Sequence, residues 1–277
     1  MKRIILVNLA LIALTFSLND LHADMFLGEF IDHSNDIPKT TEGALRDAEL
    51  PTISKNIVYG QTNDIEHMGY LTEPMDVETK SGLIVIHEWW GLNEDIHLMN
   101  KQLAGLGYTA LAVDLYDGKT ASQVRDAFQL SSSLTKNEES ALANLKSAYD
   151  YLKNQKGLEK IAVIGWCLGG KWSLRASLML PQEIDATVIY YGSLVNDKVQ
   201  LAALEMPIIG FVGTKDRLHQ QFIEFDQNLK DLNKNANIYF YEGAKHAFAN
   251  ASGIAYESQA AEDSWEKTVE FLNKHLN

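Results

Sequence analysis

From residue 83 to the C-terminus, short runs of continuously apolar residues alternate with stretches whose apolar positions recur at helical spacing. The runs fall at 83–87, 109–115, 161–164, 186–191, 207–212 and 238–241, and they predict buried strands. Residues 95–106, 122–133, 138–154, 172–180, 222–232 and 258–274 carry the spacing of amphipathic helices. Strands that are apolar throughout, separated by helices, imply an α/β protein with a mostly parallel central sheet covered by helices on both faces. Upstream, residues 56–59 and 65–71 flank Gly60-Gln-Thr-Asn-Asp64 and predict a hairpin, whereas 24–52 lack periodicity and read as a loop-rich lead-in. No repeat or low-complexity linker divides the rest, so one domain over 53–277 is expected.

The chain opens on a different pattern. Lys2 and Arg3 precede an apolar run over residues 4–18, then Asn19, Asp20 and Leu21-His22-Ala23, which is the layout of a secretory signal peptide. The run is short for a membrane span, so residues 1–23 are expected to be cleaved on export to the periplasm or beyond, leaving no stable membrane anchor. The formal charge of −13 over 277 residues, with no clustered basic stripe, argues against a nucleic-acid partner. A single cysteine excludes an intrachain disulfide, a Cys-rich zinc site and a CxxC pair. It is left as a nucleophile, a redox target or core filler.

That cysteine sits in Gly165-Trp-Cys167-Leu-Gly169-Gly170, between a β-branched apolar run and a helix-spaced stretch. Strand, sharp turn and helix in that order form the nucleophile elbow of α/β-hydrolases, with Cys where Ser is usual. Small residues two before and two after the nucleophile let the strand fold tightly onto the helix. The helix N-terminus beneath the sulfur is expected to favour thiolate over thiol at Cys167.

A thiol nucleophile needs a base, and the base needs an acid behind it; this fold supplies them in the chain order nucleophile, acid, base. Asp216 ends the run 207–212 followed by Gly-Thr-Lys, and His246 ends a Gly-containing loop after 238–241, so both are expected at the carboxyl edge of the sheet. Taken singly, Asp216 could be a helix cap and His246 a loop histidine without chemistry. Leu168, after the nucleophile, and Trp89, in the loop after the strand 83–87, are the expected oxyanion-hole N–H donors. Of the adjacent Trp89 and Trp90, one is expected to wall a pocket. His67, His87 and His97 lack a zinc-site signature, and nothing suggests a metal or organic cofactor.

Together, Gly-Trp-Cys-Leu-Gly-Gly, His87-Glu-Trp-Trp-Gly-Leu-Asn, Val-Asp-Leu-Tyr116, Tyr-Tyr-Gly192 and Gly-Ala-Lys-His-Ala-Phe248 resemble the dienelactone hydrolase family over roughly residues 55–275. The resemblance implies a Cys167–Asp216–His246 triad, a thioester acyl-enzyme and a small-molecule ester or lactone substrate. It also implies that Glu88 contacts the resting thiol and, displaced by substrate, helps form the thiolate. Two places depart from the family pattern. Asn250 stands where a basic residue holds the substrate carboxylate, and Arg125 is near, but not clearly in register with, a second substrate-binding arginine. Phe128 falls where the family often has Tyr, and Trp90, Phe128, Tyr191 and Phe248 favour an apolar or aromatic acyl group. A monomer is expected. The competing reading is a non-catalytic binding protein of the same fold, or a thiol redox sensor.

Overall fold

Eight strands form one sheet in the order β1-β2-β4-β3-β5-β6-β7-β8 in the computed structural model, which describes residues 35–277. The signal-peptide expectation for residues 1–23 lies outside the described residues. The strands are β1 (Thr52–Thr62), β2 (Ile65–Pro74), β3 (Ser81–Ile86), β4 (Thr109–Val113), β5 (Lys160–Trp166), β6 (Ala186–Tyr190), β7 (Ile208–Gly213) and β8 (Ala236–Tyr241). β3 to β8 pair in parallel, whereas the hairpin β1–β2 joins the edge antiparallel through β2 and β4. The helices are α1 (Glu94–Gly105), α2 (Val124–Lys136), α3 (Glu138–Asp150), α4 (Leu168–Met179), α5 (Lys198–Leu201), α6 (His219–Asp231) and α7 (Ser258–Leu276).

The apolar strands are continuous because both sheet faces are buried. Along β3, Leu83 and Val85 join one core cluster and Ile84 and Ile86 the other. β5 divides likewise, with Ile161 and Val163 on one side and Ala162 and Ile164 on the other. α1 and α7 cover one face with Ile96, Met99, Leu103, Phe271 and Leu272. Leu134, Leu145, Trp172 and Phe225, from α2, α3, α4 and α6, cover the opposite one.

The structure differs from the sequence reading in three places. The hairpin strands are longer than the apolar runs, because β1 and β2 pair with each other along their whole length, from Thr52 opposite Pro74 to Thr62 opposite Ile65. The helix expected over 138–154 ends at Asp150 and closes in a π-helical turn, Tyr151–Gln155. α5 carries only four residues, capped by Asp197, too short to leave a periodic signal.

Residues 37–51, read as a loop-rich lead-in, are tied down along their length. Gln102 Nε2 donates to the Gly43 and Ala44 carbonyls at 2.8 and 2.9 Å, and Leu50 N–H to Gly105 O at 3.1 Å. Thr40 forms an antiparallel bridge with Ser252. Among the described residues no helix is long and apolar enough to cross a membrane.

Candidate active site

β5 runs straight into Cys167, which takes φ 54° and ψ −114°, and α4 begins at the next residue. A non-glycine residue held there stores strain, which the surroundings must enforce. They do so by close approach. A Cβ at Gly169 would lie 2.2 Å from Ile86 O, and one at Gly165 would lie 2.3 Å from Gly169 C, so the elbow closes only with glycine at both positions. Cys167 N–H is anchored on Tyr190 O at 3.0 Å. Leu168 opens the helix, where N–H groups have no preceding turn to bond to.

Asp216 follows β7 and His246 follows β8, so both stand beyond the carboxyl ends of parallel strands beside the elbow. His246 Nε2 lies 3.2 Å from Cys167 Sγ, and His246 Nδ1 lies 2.7 Å from Asp216 Oδ2. The other carboxylate oxygen accepts from Leu218 N–H at 2.8 Å, so both oxygens of Asp216 are held. Asp216 therefore combines a local backbone bond ahead of α6 with the bond to His246.

Burial alone would lower the pKa of His246, but the charges of Asp216 and Cys167 outweigh it and hold it well above the ordinary histidine value. Burial likewise pushes Asp216 up, and the His246 charge and hydrogen bond overcome it, leaving the carboxyl below its usual range. An imidazolium flanked by a carboxylate and a sulfur is thus the favoured arrangement. Nε2 faces Cys167 Sγ at 3.2 Å.

Glu88 is buried in the loop after β3, and its Oε1 accepts from Ala251 N–H at 2.6 Å and Ser252 N–H at 3.2 Å. Its neighbour His87 is structural. Nδ1 bonds the Glu88 carbonyl at 2.6 Å, Nε2 accepts from Leu115 N–H at 3.2 Å, and burial lowers its pKa, so it stays neutral. Trp89 packs its ring on Trp90, centroids 4.8 Å apart, in the same loop.

The residues read as substrate contacts are placed differently. Trp90, Tyr191 and Phe248 have no accessible surface and belong to the core. Tyr191 meets His246 and Phe248 edge-on, at 5.2 and 5.0 Å between centroids, and its hydroxyl accepts from Ala249 N–H at 3.2 Å. Tyr191 and Phe248 join one core cluster and Trp90 the other. Tyr191 itself bends at φ 35°. Phe128 is half-buried against the core on α2, while Arg125 is exposed there. Asn250 is buried, and its amide finds no hydrogen-bond partner among the described residues. Among them, too, no group of three or more His, Cys, Asp or Glu side chains is placed to hold a metal ion.

The sequence reading did not identify what holds Glu88. Ala251 and Ser252 act through backbone N–H groups, which no side-chain pattern reveals.

A thiol at a strained strand-to-helix turn, with an imidazole and a carboxylate gathered over the carboxyl edge of a mostly parallel sheet, defines a protein of the α/β-hydrolase fold. The sequence profile of the dienelactone hydrolase family matches residues 68–276, and the chain belongs to that family of ester and lactone hydrolases. It is 29% identical over 239 residues to a candidate carboxymethylenebutenolidase of Saccharolobus solfataricus, covering 70% of this chain and 90% of the relative. It is 26% identical over 240 residues to a probable 2-oxo-3-(5-oxofuran-2-ylidene)propanoate lactonase of Bradyrhizobium sp, covering 81% and 96%. Among solved structures, a candidate dienelactone hydrolase from Klebsiella pneumoniae shares the fold with a TM-score of 0.69 at 23% identity, covering 79% of this chain and 98% of the other.

Proposed function

We propose that the protein hydrolyses small carboxylic esters and lactones by nucleophilic catalysis at Cys167. The observation that carries this reading is the continuous line Cys167 Sγ, His246 Nε2, His246 Nδ1, Asp216 Oδ2, with contacts of 3.2 and 2.7 Å, built on an elbow. The names of the relatives support the substrate class.

In the role that the family resemblance implies, Glu88 contacts the resting thiol of Cys167 and, displaced by substrate, helps form the thiolate. The proton passes to His246 Nε2, and Asp216 stabilises the imidazolium. The thiolate attacks the carbonyl carbon, and the Leu168 and Trp89 N–H groups hold the oxyanion. As the carbon–oxygen bond breaks, Nε2 gives its proton to the leaving oxygen and a thioester remains. Water then passes a proton back to Nε2 and attacks the thioester; carbon–sulfur cleavage releases the acid and restores the thiolate–imidazolium pair. A lactone follows the same steps, with both product groups on one molecule.

Comparing aryl-ester and simple-lactone hydrolysis by the wild type and Cys167→Ala tests the reading. Loss of turnover in the variant is expected, and equal rates refute it. Residues 1–23 are read as an export signal, which N-terminal sequencing of exported protein tests: a chain starting at Asp24 supports it and an intact N-terminus opposes it.

A further inference from the structure

We propose that the N-terminal strap, residues 37–51, positions Glu88 for its work on Cys167, and that Thr41 is the residue that sets it. Two consecutive peptide groups connect them. In the first, the Asn250 carbonyl lies 2.8 Å from Thr41 Oγ1, and the N–H of the same peptide group, on Ala251, donates to Glu88 Oε1. In the second, the Ala251 carbonyl receives Thr41 N–H at 3.1 Å and lies 3.1 Å from Thr41 Oγ1, while its N–H, on Ser252, donates to the same Glu88 oxygen. A peptide group is planar and rotates as a unit, so holding its carbonyl fixes where its N–H points. Thr41 therefore aims both donors that converge on Glu88 Oε1.

The clamp is reinforced on either side. Gly253 N–H donates to Lys39 O at 2.8 Å. Thr40 Oγ1 and Ser252 Oγ donate to the two oxygens of Asp95 at 2.7 and 2.5 Å, so that one carboxylate in the first turn of α1 grips strap and loop together. Thr41, Ser252 and Glu88 are all buried, where bonds of this kind are short of competing water. The strap precedes residue 68, where the match to the family profile begins, so Thr41 lies outside the matched residues while Glu88 and residues 250–252 lie within them.

The consequence for chemistry has a definite sign. Two N–H donors on one carboxylate oxygen favour its ionised form. If the peptide groups are free to turn, the carboxylate loses both its fixed orientation and the donors that favour its ionised form. Thr41 is thus a positioning residue, and this inference rests on the proposed role of Glu88 at Cys167.

The test uses the full chain and p-nitrophenyl acetate, measuring kcat/KM against pH for wild type, Thr41→Val, Thr41→Ser, Glu88→Gln and the Thr41→Val/Glu88→Gln double variant. Thr41→Val is expected to lower kcat/KM by about five- to tenfold and move the acid limb to higher pH, and Thr41→Ser to restore both. In the Glu88→Gln background, Thr41→Val is expected to add little, because the group it aims is already gone. A Thr41→Val variant that melts earlier but keeps the wild-type acid limb overturns the inference. So does a full, additive loss in the double variant. Should Thr41→Val fail to fold, Thr40→Val, which cuts only the link to Asp95, is expected to shift the limb in the same direction, and an unmoved limb there overturns the inference equally. If Cys167→Ala abolishes turnover but Glu88→Gln leaves the profile unchanged, the strap inference fails and the nucleophile stands; if Cys167→Ala keeps turnover, both fall.

Discussion

The ring of Tyr191 stands edge-on to the imidazole of His246, with centroids 5.2 Å apart and planes 63° apart. Tyr191 also accepts a hydrogen bond from Ala249 N–H, so one fully buried side chain braces both the base and the loop beyond it. Burial, then the charge of Glu88, raises its pKa well above the usual tyrosine value, so the hydroxyl stays neutral.

Tyr191→Phe removes the acceptor and leaves the Ala249 N–H buried without one. It is expected to cost about 1–3 kcal/mol of stability while leaving the ring contact with His246 intact. Urea denaturation gives the loss, and kcat/KM is expected to fall by less than about tenfold. A variant as stable as the wild type contradicts this account of the hydroxyl.

Asp216→Asn keeps the shape of the acid but removes its charge and disturbs the tautomer of His246. A fall in kcat of about 10²–10⁴-fold is expected, with a lowered His246 pKa, because the carboxylate is the first of the groups that raise it. Steady-state kinetics and titration of the imidazole by NMR check both parts. An unchanged imidazole pKa opposes the assignment.

The two shifted groups also set a pH window for stability. His246 is raised, so its contribution is complete below about pH 6.5 and is lost as pH rises through its folded value; Asp216 is lowered, so its contribution is present above about pH 3.9 and is lost as pH falls through its folded value. The stability difference between wild type and Asp216→Asn is therefore expected to be largest between about pH 4 and 6.5 and to shrink on either side. Denaturation curves at acid, mildly acid and alkaline pH measure it, and a difference independent of pH opposes the ion pair.

Gly169→Ala places a methyl group 2.2 Å from Ile86 O and 2.9 Å from His87 O, both backbone atoms of β3 and the loop after it. Backbone there cannot retreat without opening the sheet, so a loss of about 3 kcal/mol or more is expected, read as a lower melting temperature or insoluble protein. Wild-type stability would show that the elbow is looser than its geometry implies.

Much of this arrangement was legible in the sequence. An apolar run that ends in Gly-Thr-Lys-Asp216, or in a glycine loop before His246, places its last polar residue at a strand's carboxyl end whatever the details of packing. The elbow announced itself through Gly165 and Gly169, whose small size the strand-to-helix turn requires. The roles of Trp90, Tyr191 and Phe248 were not legible, since an aromatic residue in a loop gives no sign of whether the loop faces a ligand or folds inward. The strap was hidden for another reason. Thr41 meets the backbone carbonyl of Ala251 across 210 residues of sequence, and a Thr-Thr pair in an aperiodic segment carries no trace of such a partner.

The central claim, a covalent acyl-enzyme on the single cysteine, is tested most directly by rapid-quench mass spectrometry of the wild type during turnover of p-nitrophenyl acetate, followed by peptide mapping. The account predicts an acetyl group on the peptide containing Cys167, formed as p-nitrophenol is released and absent from Cys167→Ala. Turnover by the wild type with no adduct at any quench time, matched by equal turnover in Cys167→Ala, would contradict it.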